Sequence, residues 1–310
     1  MIVNPIQHPL FVPTATTLAG LFLAGLLGIL IAERGNAASV VSSSLFRRWR
    51  TWAVIAPIYV IAVLAGPVTT LVLALGLAVQ GVREYADLVG LPTLYRRVLL
   101  GMTALTLPTA LVSLELYLAI TPLLLIVATL QPLLTQNVRT GARQLAFGAL
   151  GFGYIPWLLG FLVILSARVA GGDGLLLVLA LSVALSDVGA FAVGSAFGRH
   201  KLAPTLSPAK TWEGTAGNLI GALLGTALLW FALPEWMPTA ARLGLPVVLS
   251  IAAVWGDLVE SLLKREFAVK DAGAWLPGFG GLLDRVDSLL LAVPLTFYYA
   301  VSVRWLSERI

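Results

Sequence analysis

The sequence predicts an all-α, polytopic integral membrane protein of about ten transmembrane helices, with a polar cleft facing the cytoplasm. Three observations carry that prediction. Hydrophobic residues make up 59% of the 310 and the mean hydropathy is +0.94, whereas a soluble domain runs about 45–50% apolar. Charged residues are only 11%, against about 25% in soluble domains. Apolar runs of roughly 15–21 residues recur along the chain, which suits helices crossing a hydrocarbon core of about 30 Å, and the barrel signature of alternating strands about ten residues long is absent.

The spans are expected at about 14–32, 52–66, 68–82, 98–113, 117–134, 146–166, 175–198, 215–233, 244–263 and 288–306. The segment before the first span has no Lys or Arg, and the first basic residue, Arg34, follows it. A secretory leader would place its positive charge before the apolar run, so the first helix is expected to be retained, with its N-terminus outward. Residues 52–82 carry no charge; as one helix they would be about 46 Å long at 1.5 Å per residue, too long for the bilayer. Gly66-Pro67 offers a break, so two helices are expected. With the N-terminus outside, the loops 33–51, 83–97, 135–145, 199–214 and 264–287 face inward and hold sixteen of the twenty Lys and Arg residues. Merging 52–82 would put basic loops outside, against the positive-inside rule. Residues 167–173 form a plain outer turn. The chain is read as one integrated membrane domain, with N-terminal helices over 1–145 and a catalytic region over 146–310.

Composition also excludes chemistry. There is no cysteine, and the only histidines are His8 and His200. Disulfides, thiolate catalysis, cysteine-ligated metals and multi-histidine metal sites are therefore ruled out. A metal here must be held by oxygen, which favours Mg²⁺, Mn²⁺ or Ca²⁺.

Charge concentrates between Trp255 and Leu291. Asp257, Glu260, Ser261 and Lys264 fall at i, i+3, i+4 and i+7 and share one helical face, while Leu258, Val259, Leu262 and Leu263 cover the other. A polar stripe on a membrane helix faces a cavity or another helix. It serves either a buried structural network or a metal or substrate site. Asp284 and Asp287, three apart, can face the same way across one turn. With Asp257 they would bring three carboxylates together from two helices, a repulsion that a divalent cation removes; salt bridges to Arg265 and Arg285 are the alternative. Between these helices Lys264, Arg265 and Lys270 offer phosphate donors. Gly278, Gly280 and Gly281 allow close backbone approach and free N–H groups for anionic oxygens. An earlier loop presents Arg199, His200, Lys201, Ser207, Lys210 and Glu213, after a span with Asp187 buried at mid-depth and a small-residue face at Gly189, Gly194 and Gly198. Trp212 is expected as an interfacial anchor. No phosphate-binding GxxxxGK[ST] loop is present.

These residues resemble the phosphatidate cytidylyltransferases, also called CDP-diacylglycerol synthases. Ser261, Lys264, Arg265, Lys270, Asp271, Pro277, Gly278, Gly280, Gly281, Asp284, Arg285 and Asp287 fall on that family's signature. Ser207, Pro208, Lys210, Thr211, Trp212, Glu213 and Gly214 resemble its upstream motif, and Glu84-Tyr85 is suggestive. The family's His-Gly-Gly is Phe279-Gly280-Gly281 here, and phenylalanine neither donates a hydrogen bond nor takes a proton. The resemblance implies CTP and phosphatidate as substrates, CDP-diacylglycerol and pyrophosphate as products, and Mg²⁺, alone or with a second cation, as cofactor. It implies Asp257 and Asp284 as principal metal ligands with Asp287 and Asp187 as weaker ones. It also implies phosphate binding by Lys210, Lys264, Arg265, Lys270 and Arg285, with Ser207 and Ser261 in support and Asp271, Gly280 and Gly281 at the substrate. A bacterial inner-membrane location follows, with membrane lipids as partners and no nucleic acid; glycine-rich spans permit a homodimer without requiring one. Three alternatives stay open: a relative acting on another lipid phosphate, a catalytically impaired relative, and a membrane transporter.

Overall fold

The computed structural model describes residues 2–33, 37–134, 136, 138–273, 275 and 280–308. Pro277, Gly278 and Phe279 of the glycine segment lie outside the described residues. After a 3₁₀ turn at Pro5–Gln7, the helices run α1 (Phe11–Ala32), α2 (Ala37–Ser42), α3 (Ser44–Leu64), α4 (Pro67–Leu88), α5 (Thr93–Val112), α6 (Leu114–Ala128) and α7 (Leu130–Leu134). They continue as α8 (Gly141–Phe152), a π-helical turn (Gly153–Trp157), α9 (Leu158–Arg168) and α10 (Gly172–Phe197). The hairpin β1 (Lys201–Ala203) and β2 (Ser207–Thr211) then leads into α11 (Trp212–Leu228), α12 (Thr239–Glu266) and α13 (Leu283–Ser307).

A helix lies at each expected span. Among the described residues, six helical stretches are long and apolar enough to cross a membrane: Phe11–Ala32, Leu114–Leu134, Gly141–Arg168, Gly172–Phe197, Thr239–Glu266 and Leu283–Ser307. The expected spans at 52–66, 68–82, 98–113 and 215–233 fall on α3, α4, α5 and α11, which are shorter or carry more charge at one end. The break inside 52–82 is real. Gly66 takes φ 108°, a conformation open mainly to glycine, and Pro67 opens α4, where its missing N–H leaves no helical bond unmade.

The core is centred on α9, whose Leu159, Phe161, Leu162, Val163, Ile164 and Leu165 are all buried. Helices α4, α5, α10 and α13 pack around it. The closest pair is α10 with α11, and glycine is the cause. A Cβ at Gly225 would sit 2.5 Å from Ser182 Cα, and Gly189, Gly217 and Gly221 likewise face the partner helix's backbone. The hydroxyls of Ser182 and Thr226, 3.0 Å apart, close the same seam. The small-residue face expected on α10 is thus spent within the chain.

The loop expected at 199–214 is instead a two-stranded antiparallel hairpin, with Lys201 opposite Thr211 and Ala203 opposite Ser207. Strands of three and five residues are too short to show a period of two. Thr211 ends β2 and caps α11, accepting the Gly214 N–H at 3.0 Å.

Candidate active site

The polar stripe on α12 forms as its spacing requires. Ser261 Oγ donates to Asp257 Oδ1 at 3.3 Å, and Lys264 Nζ reaches Glu260 Oε2 at 2.5 Å, each one turn away. Val259 and Leu263, on the opposite face, join the core. The stripe then meets α13: Lys264 Nζ also lies 2.8 Å from Asp284 Oδ1. The remaining oxygen of Asp284 accepts the N–H of Gly281 at 2.9 Å and that of Ala272 at 3.0 Å. The partners of Asp284 are therefore a lysine and two backbone amides rather than Arg265 or Arg285. Arg265 turns instead to the hairpin and donates from Nε to the Leu206 carbonyl at 3.1 Å. Lysine wins because it lies on the stripe, whereas Arg265, one residue on, is rotated about 100° around the helix.

The hairpin brings Lys210 to α12, where Nζ sits 2.5 Å from Asp257 Oδ2. Asp187 on α10 interacts electrostatically with Asp257, Lys210 and Arg285. Asp187 is accessible at the surface of α10, although the protein packed around its carboxylate still desolvates it. Asp287 is buried, accepts its neighbour's Ser288 N–H at 2.7 Å and feels the charges of Glu260, Asp257 and Asp187. The structure thus gathers Asp187, Lys210, Asp257, Glu260, Ser261, Lys264, Asp284, Arg285 and Asp287. Ser207 opens β2 three residues before Lys210. Lys270 and Asp271 are exposed beyond α12, where Asp271 lies beside Gly280. Trp212 is exposed at the start of α11.

Gly280, at φ 82°, requires glycine, and a Cβ there would lie 3.0 Å from Asp284 Oδ2. The N–H of Gly281, expected to meet a ligand's oxygen, is donated to Asp284 instead.

Two participants lie outside the sequence motifs. Tyr154, in the π-helical turn, is buried with its hydroxyl 3.4 Å from the Gly256 carbonyl and interacts with Asp287, Glu260 and Asp257. Glu84 of α4, noticed only as half of Glu84-Tyr85, accepts the Leu282 N–H at 3.0 Å and the Leu283 N–H at 2.8 Å. Both contacts are long-range, so no local spacing announces them.

Among the described residues no three carboxylates or imidazoles form a ready-made metal cage. Ammonium groups stand against the carboxylates, Lys210 on Asp257 and Lys264 on Glu260 and Asp284. The donor set still suits a hard cation. The acids gathered here offer oxygen, and Glu260 Oε1 is a buried acceptor with no hydrogen-bond partner among the described residues.

At the hairpin's base, Glu213 accepts the N–H groups of Arg199, at 3.1 Å, and of His200, and its Oε1 lies 2.6 Å from His200 Nδ1. The His200 contact, foremost, holds the Glu213 carboxyl down to about 2.

A family model described as "Cytidylyltransferase family" matches residues 46–303. The chain is similar to the phosphatidate cytidylyltransferase of Mycobacterium bovis, 46% identical over 122 residues that cover 38% of this chain and 39% of that protein. It is 45% identical over 130 residues to the Haemophilus influenzae protein of that name, covering 40% and 45%. It is 41% identical over 152 residues to the Staphylococcus haemolyticus one, covering 48% and 56%. The matched stretch thus spans between 39% and 56% of these three relatives' length.

Proposed function

The chain belongs to the cytidylyltransferase family, and from that membership we propose that it transfers the cytidylyl group of CTP to phosphatidate. The products are CDP-diacylglycerol and pyrophosphate, in phospholipid biosynthesis. The observation that supports this most is the paired arrangement of Lys210 on Asp257 and Lys264 on Asp284 at one end of α12 and α13. Cations and carboxylates alternate there, as a polyphosphate site built in a membrane protein requires.

A lipid phosphate oxygen attacks the α-phosphorus of CTP. One P–O bond forms, the bond to the β-phosphate oxygen breaks, and the electron pair leaves with pyrophosphate. The nucleophile is already ionised at neutral pH, so no side chain has to remove a proton, which suits a site without cysteine. The work left to the protein is positioning and charge neutralisation. Lys210 and Lys264 exchange carboxylate for phosphate oxygen, and Arg265, Lys270 and Arg285 add donors at the rim. Ser261 fixes Asp257, and Ser207 stands near the hairpin's entry. Mg²⁺, alone or with a second cation, would neutralise the triphosphate and favour departure of pyrophosphate. Asp257 and Asp284 would hold it, with Asp287 and Asp187 beside them.

The excess of Lys and Arg in the loops on this side supports a cytoplasmic site in a bacterial inner membrane. CTP would reach it from the cytosol, and phosphatidate with its chains still in the bilayer.

Purified protein with labelled CTP, phosphatidate and Mg²⁺ tests the reading. CDP-lipid is the expected product, and Asp284→Ala should abolish it. No product with any divalent metal rules the reaction out. Phe279, in place of the family histidine, leaves two other readings, another lipid phosphate as substrate and impaired catalysis, which a panel of lipid phosphates with CTP separates.

A further inference from the structure

The start of α13 has no cap of its own. Its first N–H groups need acceptors, and Leu282, at the N-cap position, has no side chain able to supply one. Two carboxylates do so instead. Asp284 takes the Gly281 N–H from within the helix. Glu84, distant in sequence on α4, takes the next two, those of Leu282 at Oε1 and Leu283 at Oε2. Gln80, one turn earlier on α4, donates to Oε1 at 3.0 Å and holds the carboxylate in orientation. Glu84 is buried, and negative charge at a helix N-terminus is stabilising.

The glycines around this contact are shaped to it. A Cβ on Gly281 would lie 2.6 Å from Glu84 Oε2, and one on Gly273 would lie 2.9 Å from its Cδ. The backbone before α13 is therefore folded against Glu84 from both ends of the segment 273–281.

We infer that Glu84 is a positioning residue for the transfer reaction: as the cap of α13 donated by α4, it fixes the helix start that carries Asp284, Arg285 and Asp287. The inference rests on the reaction proposed above. Glu84 needs no contact with substrate. It acts through the N–H groups of Leu282 and Leu283, and a small rotation of this helix start moves Asp284 away from Lys264.

The test uses the full chain in detergent or vesicles, with Glu84→Ala, Glu84→Gln and Gly281→Ala beside the unsubstituted protein. Hydrogen exchange is followed peptide by peptide, together with CDP-lipid formation. Glu84→Ala should lose protection locally at 281–286 and lower kcat about 10²-fold, with KM for CTP nearly unchanged. Glu84→Gln keeps one acceptor oxygen and should recover part of both losses. Gly281→Ala, which pushes on the same carboxylate from the other side, should resemble Glu84→Ala. Unchanged exchange at 281–286 in Glu84→Ala overturns the inference, and so does exchange that rises evenly along the chain. Equal losses in kcat and in CTP affinity, with no recovery by glutamine, also count against it. Should the unsubstituted protein make no CDP-lipid, the proposed reaction fails alone, because local exchange still reports whether Glu84 holds α13.

Discussion

Lys264 Nζ lies 2.8 Å from Asp284 Oδ1, joining α12 to α13 across twenty residues of sequence. The same ammonium is 2.5 Å from Glu260, so one cation serves two carboxylates that are only 1% and 3% exposed. Removing it leaves two enclosed carboxylates with no cation beside them, Asp284 keeping only its two backbone amides. Breaking such a pair costs about 3–5 kcal/mol. Lys264→Met should therefore lower the thermal midpoint strongly and stop CDP-lipid formation. Adding Glu260→Gln should restore much of the stability and none of the activity, as thermal unfolding and a turnover assay on the same preparation would show. A single Lys264→Met variant with unchanged stability would contradict the pairing.

The second contact, Lys210 on Asp257, ties the hairpin to α12. If the two work as a unit, Lys210→Ala and Asp257→Asn should each lower turnover about 10²-fold. The double variant should then be little worse than either single one, since residues in contact are not additive. Chelating divalent metal should stop turnover in the unsubstituted protein, and Mg²⁺ should restore it. Asp257→Asn should raise the Mg²⁺ concentration needed, and turnover that survives chelation would remove the metal from the proposal.

The seam between α10 and α11 yields a packing test. Gly225→Leu would drive a side chain into Ser182 Cα, 2.5 Å from where its Cβ must sit. Backbone cannot yield as a side chain tip can, so the loss should reach about 3 kcal/mol, the upper end for overpacking. Gly101→Leu on α5, where nothing lies within 4 Å, should stay within about 0.5 kcal/mol of the parent. Thermal unfolding of both variants in one detergent checks the contrast.

Glu213 supplies a pH test. Its carboxyl is held down to about 2 from an ordinary 4.5, chiefly by His200. A depressed carboxylate stabilises fully above its ordinary value, and that contribution fades as pH falls from 4.5 through about 2. The amides of Arg199 and His200, which it accepts, should stay protected throughout the neutral range and lose protection only in acid. Glu213→Ala, which removes both acceptor oxygens, should expose them already at neutral pH, which amide exchange at Arg199 and His200 would detect.

Much of this site was legible because it is local. Asp257, Glu260, Ser261 and Lys264 meet at helical spacing, and a helix is the natural state of an apolar run that long. The break at Gly66-Pro67 was legible for the same reason, since both residues carry their backbone preference with them. The hairpin was not, because strands of three and five residues leave no pattern. Glu84 stood out only as half of Glu84-Tyr85, and its role at α13 was out of reach for a different reason. It binds backbone N–H groups, which every residue but proline has, so no side-chain signature on α13 points back to it. The choice of Lys264 over Arg265 or Arg285 for Asp284 depended on how α12 is rotated against α13, a property of packing rather than spacing.

The π-helical turn at Gly153–Trp157 sets a limit on how this chain can change length. It winds one residue more than an α-helical turn would, so it keeps α8 and α9 in their present phase. Gly148 and Gly151 then face Tyr95 and Tyr85, while Gly160 faces Tyr117. Deleting a single residue there would leave a smoother helix and turn one half against the other by about 100°. The glycines would swing off their tyrosines, and Tyr154 would leave the acids it borders. Relatives that gain or lose residues should do so elsewhere, so a gap in an alignment at 153–157 marks either a misplaced gap or a differently packed protein.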